Sequence, residues 1–260
     1  MKPTRRTLTR ALLLLTLILP ASVGCGTNAP PVGSPSAPPT TTIASPAPSA
    51  ASSPAPSATP AQPTPTPTQS VPAPSTPVPP PGWTVVSSRV AYQWRWPGGG
   101  VTIGHAYPVP PVAELVSIGA GNHPNDPGDR PYNRMSFSFT TAYPTYTFEY
   151  VNQLIADGSG QPIPLAGLGV LRIVFTPAQA HNPAGTASSI QSQPPAHLGM
   201  ARMVEYARAG DFEGHLSYGI GITWPNPHSN PQIAVRVYEV TYTNGHGEHR
   251  YVIAFDIDAR

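Results

Sequence analysis

Between Gly26 and Gly82 the chain carries no charged residue and is built mainly from Pro, Ala, Ser and Thr, with runs such as Pro63-Thr-Pro-Thr-Pro67. This stretch constrains everything else. Proline lacks an amide donor and is excluded from helix interiors and central strands. The remaining side chains are too small and polar to bury a core. Of 260 residues, only those after Gly82 can build a sizeable fold. Frequent Pro favours extended polyproline II at about 3.1 Å per residue, so the stretch reaches roughly 180 Å at most. It reads as a disordered spacer. Its Thr and Ser residues beside Pro can also accept O-linked sugars.

Ahead of the spacer, Met1–Arg10 holds four basic residues and no acidic one, and Ala11–Leu19 is almost purely apolar. Pro20 ends the run, and the small residues Ala21, Ser22 and Gly24 precede Cys25. This is the three-part pattern of an export signal. The apolar run falls short of the ~20 residues of a membrane-spanning helix. Arg5-Arg6 leaves both the general and the twin-arginine export routes open. Cys25 is the only cysteine. Ser22-Val23-Gly24-Cys25 resembles a bacterial lipobox, although Ser22 stands where Leu is commoner. That resemblance implies cleavage before Cys25 and a diacylglyceryl group on its thiol, with further acylation such as palmitate. Each buried CH₂ contributes about 0.8 kcal/mol, so two or three chains anchor durably. The expected organisation is a lipoprotein signal peptide over 1–24, a lipidated Cys25 and linker over 25–82, and one folded domain over 83–260. The expected location is the extracytoplasmic face of the cell membrane.

Charge narrows the partners. Four of the fourteen basic residues (Lys2, Arg5, Arg6 and Arg10) lie in the leader, which leaves ten Arg against twelve Asp and Glu, or about −2. A weakly acidic chain with scattered Arg has no electrostatic footprint for nucleic acid or for a basic membrane patch. A folded part without Cys excludes disulfides, Cys-ligated zinc and Cys nucleophiles there.

After Trp83 the texture changes to short apolar–polar alternation broken by turn residues. Ala113–Ala120, Arg134–Thr140, Thr145–Asn152, Gly169–Phe175, Arg202–Arg208, His215–Thr223, Ile233–Thr243 and Arg250–Asp258 read as strands. In Met135-Ser-Phe137-Ser-Phe139 one face takes Met and Phe and the other takes Ser. Val235–Tyr242 shows the same period with one slip, which suggests a bulge. Asn244-Gly245 marks a hairpin. No segment has convincing helical periodicity. The fold class predicted is all-β, an antiparallel β-sandwich.

Several constellations carry chemistry in principle. Tyr92-Gln-Trp94-Arg-Trp96, read as a strand, puts Tyr92, Trp94 and Trp96 on one face. That stripe suits either a platform that stacks on sugar rings or a core-facing strand. Asp211-Phe-Glu213 sets two carboxylates on one side of a strand, as glycoside hydrolysis or cation binding would need. The flanking Gly210 and Gly214 favour a turn instead. His246-Gly-Glu248-His249 is dense in metal-ligand types but lacks the spacing of a helical zinc site, and reads as a hairpin tip. His105, His123, His181, His197, His215 and His228 show no paired spacing. Asn125-Asp-Pro-Gly-Asp129 has oxygen ligands but no bidentate Glu of a calcium loop. No G-x-S-x-G is present, and Gly158-Ser-Gly160 reads as a turn.

Asp129–Phe139 (DRPYNRMSFSF), Pro144–Val151 (PTYTFEYV), Gly158–Gly167 (GSGQPIPLAG), Leu171–His181 (LRIVFTPAQAH) and Gly210–Gly221 (GDFEGHLSYGIG) occur in an order and spacing similar to the AMIN-like domain of actinobacterial lipoproteins. The resemblance runs from Val112 to the C-terminus and leaves Trp83–Pro111 outside it. It implies a β-sandwich in the cell envelope and supplies no catalytic residue. The expectation is a non-catalytic binding domain, with no metal or cofactor, for wall glycan (peptidoglycan included) or an envelope protein. The alternatives are an envelope hydrolase acting through Asp211 and Glu213 or converging His residues, and a scaffold that docks proteins at a sheet edge.

Overall fold

Phe137, Phe139 and Met135 are fully buried while Ser136 and Ser138 on the alternate positions are half-buried, as the period-two pattern requires. The same logic builds the rest of the computed structural model, which describes residues 76–106 and 111–260. The leader, Cys25 and the spacer up to Ser75 lie outside the described residues. In chain order the strands are β1 (Trp83–Arg95), β2 (Val101–Ile103), β3 (Ala113–His123), β4 (Tyr132–Phe139), β5 (Thr145–Val151), β6 (Leu154–Ile155) and β7 (Pro162–Ile163). They continue with β8 (Gly169–Thr176), β9 (Ala178–Gln179), β10 (Met203–Phe212), β11 (His215–Ile222), β12 (Val235–Asn244) and β13 (His249–Asp258). No helix occurs among the described residues. The fold is an all-β sandwich.

One sheet has six strands in the order β1-β12-β13-β4-β3-β9, the other five in the order β10-β11-β8-β5-β2, and β6-β7 is a small separate ribbon. Pairing is antiparallel except for β3 with β9. The inner faces supply the core. Phe137, Phe255, Val237 and Ile253 of the six-stranded sheet meet Phe148, Phe175, Tyr218 and Ile220 of the other. Their rings interlock, with Phe137 and Phe175 centroids 5.0 Å apart and Phe148 edge-on to Phe255 at 5.4 Å. Each such side chain contributes about 1.5–3 kcal/mol by leaving water.

Two expectations need correction. The slip in Val235–Tyr242 is not a bulge of β12, which pairs with β13 in unbroken register from Val235 opposite Ile257 to Thr243 opposite His249. The pattern breaks because both faces of β12 are buried. Val235 and Val237 enter the core, Glu239 follows them inward to accept a hydrogen bond from Tyr146 Oη at 2.8 Å, and Tyr238, Val240 and Tyr242 pack on the outer face. The bulges belong to β1, whose register against β12 shifts three times. The second correction follows from these shifts. Tyr92 lies opposite Val237 and Arg95 opposite Val235, so three steps along β1 match two along β12. The extra residue reverses the alternation. Tyr92 therefore points into the core, edge-on to Phe148 at 5.1 Å, while Trp94 points out over Arg236 and Tyr132. The single-faced aromatic stripe does not exist.

Candidate ligand-binding cleft

Trp96 follows β1 directly and is 43% exposed, an unusual position for an indole. It is held from behind, because its carbonyl accepts the Tyr92 hydroxyl at 3.2 Å. A second indole, Trp224, follows β11 in the segment Trp224-Pro-Asn-Pro-His-Ser-Asn-Pro231. Proline cannot continue the sheet, so the chain arches away there. The arch is organised by Asn226, whose side chain accepts the His228 amide at 3.0 Å and whose carbonyl accepts the Ser229 hydroxyl at 2.7 Å. Trp224 Nε1 donates to the Ser229 carbonyl at 3.0 Å and pins the ring beneath the arch. Gly169 packs against the ring: a Cβ at that position would lie in van der Waals contact, 3.4 Å from two ring carbons.

Between the two indoles lies an open cleft of about 380 Å³, also lined by Tyr150, Asn152, Leu168 and Asn230. The Tyr150 hydroxyl is buried without a hydrogen-bond partner among the described residues. Burial, only partly offset by the nearby Arg202 charge, pushes its pKa well above the ordinary phenol value, so it stays a neutral donor. A second hollow of about 460 Å³ lies on the other side of the arch and shares Trp224, Ser229, Pro231 and Ile233. Its base carries Arg202, Asp258 and Arg260. Arg202 is spoken for, donating to the carbonyls of Asp258, Thr223 and Arg260. Aromatic faces beside exposed amides suit a neutral polyhydroxylated ligand, which offers C–H faces to stack and hydroxyls to bond.

The remaining sequence candidates disperse. Tyr92 is core, Trp94 is half-buried outside the cleft, and only Trp96 of the stripe lines it. Asp211 and Glu213 do not form a carboxylate pair. Glu213 and Gly214 are the two residues of the β10–β11 turn, with φ of 50° and 76°, and Glu213 is exposed. Asp211 instead accepts the Ala180 amide at 3.1 Å and pairs with Arg208 at 3.2 Å. The histidines take separate partners: His105 with Glu239, His123 with Asp126, His181 near Asp211, and His215 with Thr176. No three His, Asp or Glu groups gather as a metal site among the described residues. In the 125–129 loop Asp126 is engaged by His123 and Tyr132, and Asp129 by Arg236. The 246–249 tip is exposed and held by Asn244, which accepts the amides of His246 and Glu248 at 3.0 Å. Cys25, the expected lipid site, lies outside the described residues.

Sequence reasoning passed over Trp224, Tyr150 and Asn152 as site residues. The available signal was a Trp set among prolines and asparagines rather than inside an alternating run.

The fold and cleft define a two-sheet β domain with an aromatic-lined site at one end. Comparison with known families refines this: the AMIN-like domain matches residues 113–245, and the chain belongs to that family. The match takes in β3 to β12 and Trp224, and leaves out β1, Trp96 and β13. No curated protein and no solved structure matches the chain.

Proposed function

We propose that this is an exported, lipid-anchored envelope protein whose AMIN-like domain binds wall glycan without catalysis, at the Trp96–Trp224 cleft. The observation that carries the reading is the convergence of an exposed indole, Trp96, and a half-buried one, Trp224, with the exposed amides of Asn152 and Asn230 in one open cleft. The leader, Cys25 and the uncharged spacer support placement at the membrane, with the domain held at a distance from it. Trp96 and Trp224 stack on sugar faces, and Asn152 and Asn230 read the hydroxyls, while Tyr150 closes the cleft floor with its ring.

Tryptophan fluorescence of the full chain, titrated with soluble wall-glycan fragments, tests this. A saturable shift is expected. Trp96→Ala, at an exposed position, should weaken the apparent affinity about fivefold, the equivalent of one aromatic contact of ~1 kcal/mol. A shift of the same affinity in Trp96→Ala, or no shift at any fragment concentration, sinks the proposal.

A further inference from the structure

The β12–β13 tip, Asn244-Gly-His-Gly-Glu-His249, is dense in polar groups and takes no part in the cleft. It contains the only Asn in the sequence that is followed by Gly. That pair has a chemistry of its own. The amide nitrogen of the following residue is a nucleophile within reach of the Asn side-chain carbonyl, and its attack there closes a cyclic imide. A Cβ on the following residue crowds the approach, and glycine has none.

The tip holds the pair in a reactive arrangement. Asn244 Oδ1 accepts the amides of His246 and Glu248, both at 3.0 Å, and Asn244 Nδ2 donates to Glu248 Oε2 at 2.6 Å. Donors on the oxygen and an acceptor on the nitrogen fix which way the amide points. The bond from the His246 amide, two residues on, closes an Asx turn. In such a turn the Asn Cγ stands in for a backbone carbonyl carbon, which folds the Gly245 nitrogen against it. The two amides on Oδ1 draw electrons from Cγ. They also sit where negative charge develops once the nitrogen adds, as the donors of an oxyanion hole do. Gly247, at φ 77°, turns the chain back so that the Glu248 amide reaches that oxygen. Residues 245–249 are exposed, so water has access to the product.

We propose that Asn244 is a self-modification site, at which the folded tip promotes loss of the side-chain amide. The bond between the Gly245 nitrogen and Asn244 Cγ forms, and the bond from Cγ to Nδ2 breaks. The Gly245 proton leaves with Nδ2 as ammonia. Water then opens the imide at either carbonyl and leaves aspartate or isoaspartate at 244. Nothing is oxidised or reduced. Either product sets a carboxylate against Glu248 Oε2 where an N–H donor stood, so an attraction becomes a like-charge contact. Isoaspartate also lengthens the backbone by one carbon. Asn244 is paired with Trp83, the first residue of β1, so the change loosens the ladder where the N-terminal stretch enters the sheet. The tip is thereby a one-way clock: the entry to β1 opens as a molecule ages.

The full chain, incubated folded in mildly alkaline buffer and in parallel unfolded in guanidinium chloride at the same pH and temperature, tests this. Peptide mapping by mass counts aspartate plus isoaspartate at 244. The folded chain should convert about fivefold faster, the worth of one exposed hydrogen bond to the developing charge. Gly245→Ala should slow the folded chain about tenfold by crowding the nitrogen. A Cβ there meets nothing within 4 Å, so the variant keeps the tip's fold. In converted material, hydrogen exchange of the amides over 83–85 should quicken about fivefold, as local opening there becomes easier. Conversion that is equal or slower in the folded chain overturns the proposal and shows that the turn protects Asn244. Undiminished conversion in Gly245→Ala overturns the imide route. Exchange over 83–85 unchanged from the parent overturns the loosening of β1.

Discussion

Arg236 is fully buried on the outer side of β12, with Asp256 at 2.7 Å and Asp129 at 2.6 Å. Arg134 shares Asp256 through two bonds of 2.6 and 2.8 Å, so two cations meet two carboxylates. Buried charges persist only when paired like this. Rings close the top: Trp94, Tyr238 and Tyr132 lie 4.4, 4.8 and 5.2 Å from the Arg236 guanidinium, and Arg130 covers Trp94 at 4.7 Å. Both guanidiniums occupy the Trp94 ring that a sugar would need, and its Nε1 is buried without a partner. Trp94→Ala should therefore lower stability by about 2 kcal/mol, a half-buried aromatic lost, and leave glycan affinity within twofold of the parent. Urea unfolding and the fluorescence titration measure the two effects. Lost binding at unchanged stability would return Trp94 to the site. None of this was legible in the sequence: Arg134 and Asp256 are 122 residues apart, and a charged residue on a strand usually signals a solvated face.

At the scale of elements, legibility tracked how regularly each strand alternates. β5 and the second half of β4, Met135 to Phe139, with one face inward and one outward, were readable nearly to the residue. β12 was located but its pattern misread, since alternation says nothing once both faces are covered. β1 was read only at its aromatic end. Its first seven residues are mostly exposed and its bulges reset the parity, so no fixed period survives. The cleft suffered for the same reason: Trp96 and Trp224 both lie just beyond strand ends, where periodicity stops. Glycine carries information that the pattern lacks. Gly221 of β11 runs so close to the 165–168 segment that a Cβ would stand 1.9 Å from the Ala166 carbonyl oxygen. The obstacle is backbone, which cannot rotate away. Gly221→Ala should cost about 3 kcal/mol, at the upper end of overpacking, and lower the melting temperature accordingly. Because Leu168 and Gly169 adjoin that segment, glycan binding should weaken with it. A melting temperature equal to the parent's contradicts the packing described.

For the whole molecule, the folded unit is larger than the family match. β13 lies outside the match, yet it sits between β12 and β4 and supplies Phe255 to the core, so truncation at residue 245 would divide the sheet. The core is also rich in tyrosine, and this sets the response to alkali. Burial pushes the phenols of Tyr143, Tyr238 and Tyr242 up to about 12, and those of Tyr132, Tyr146, Tyr150, Tyr206 and Tyr218 upward as well. In the unfolded chain they release protons near pH 10. Their contribution is thus complete below pH 10 and is lost as pH rises toward 12 and beyond. Tyrosinate absorbance and circular dichroism should change together in that interval, as unfolding exposes the phenols. Independent titration near pH 10 with the sheet intact would contradict it. The placement of β1 has a mechanical consequence. One end of this thirteen-residue strand joins the N-terminal stretch and the other runs straight into Trp96. A pull between a fixed N-terminus and a ligand held at Trp96 is directed along an axis of about 40 Å. Antiparallel ladder bonds lie across that axis, so the nine residue pairs with β12 would resist in shear, together rather than in succession. On the proposed function, this edge strand, absent from the family match, would carry the tension between the N-terminal side and the glycan cleft.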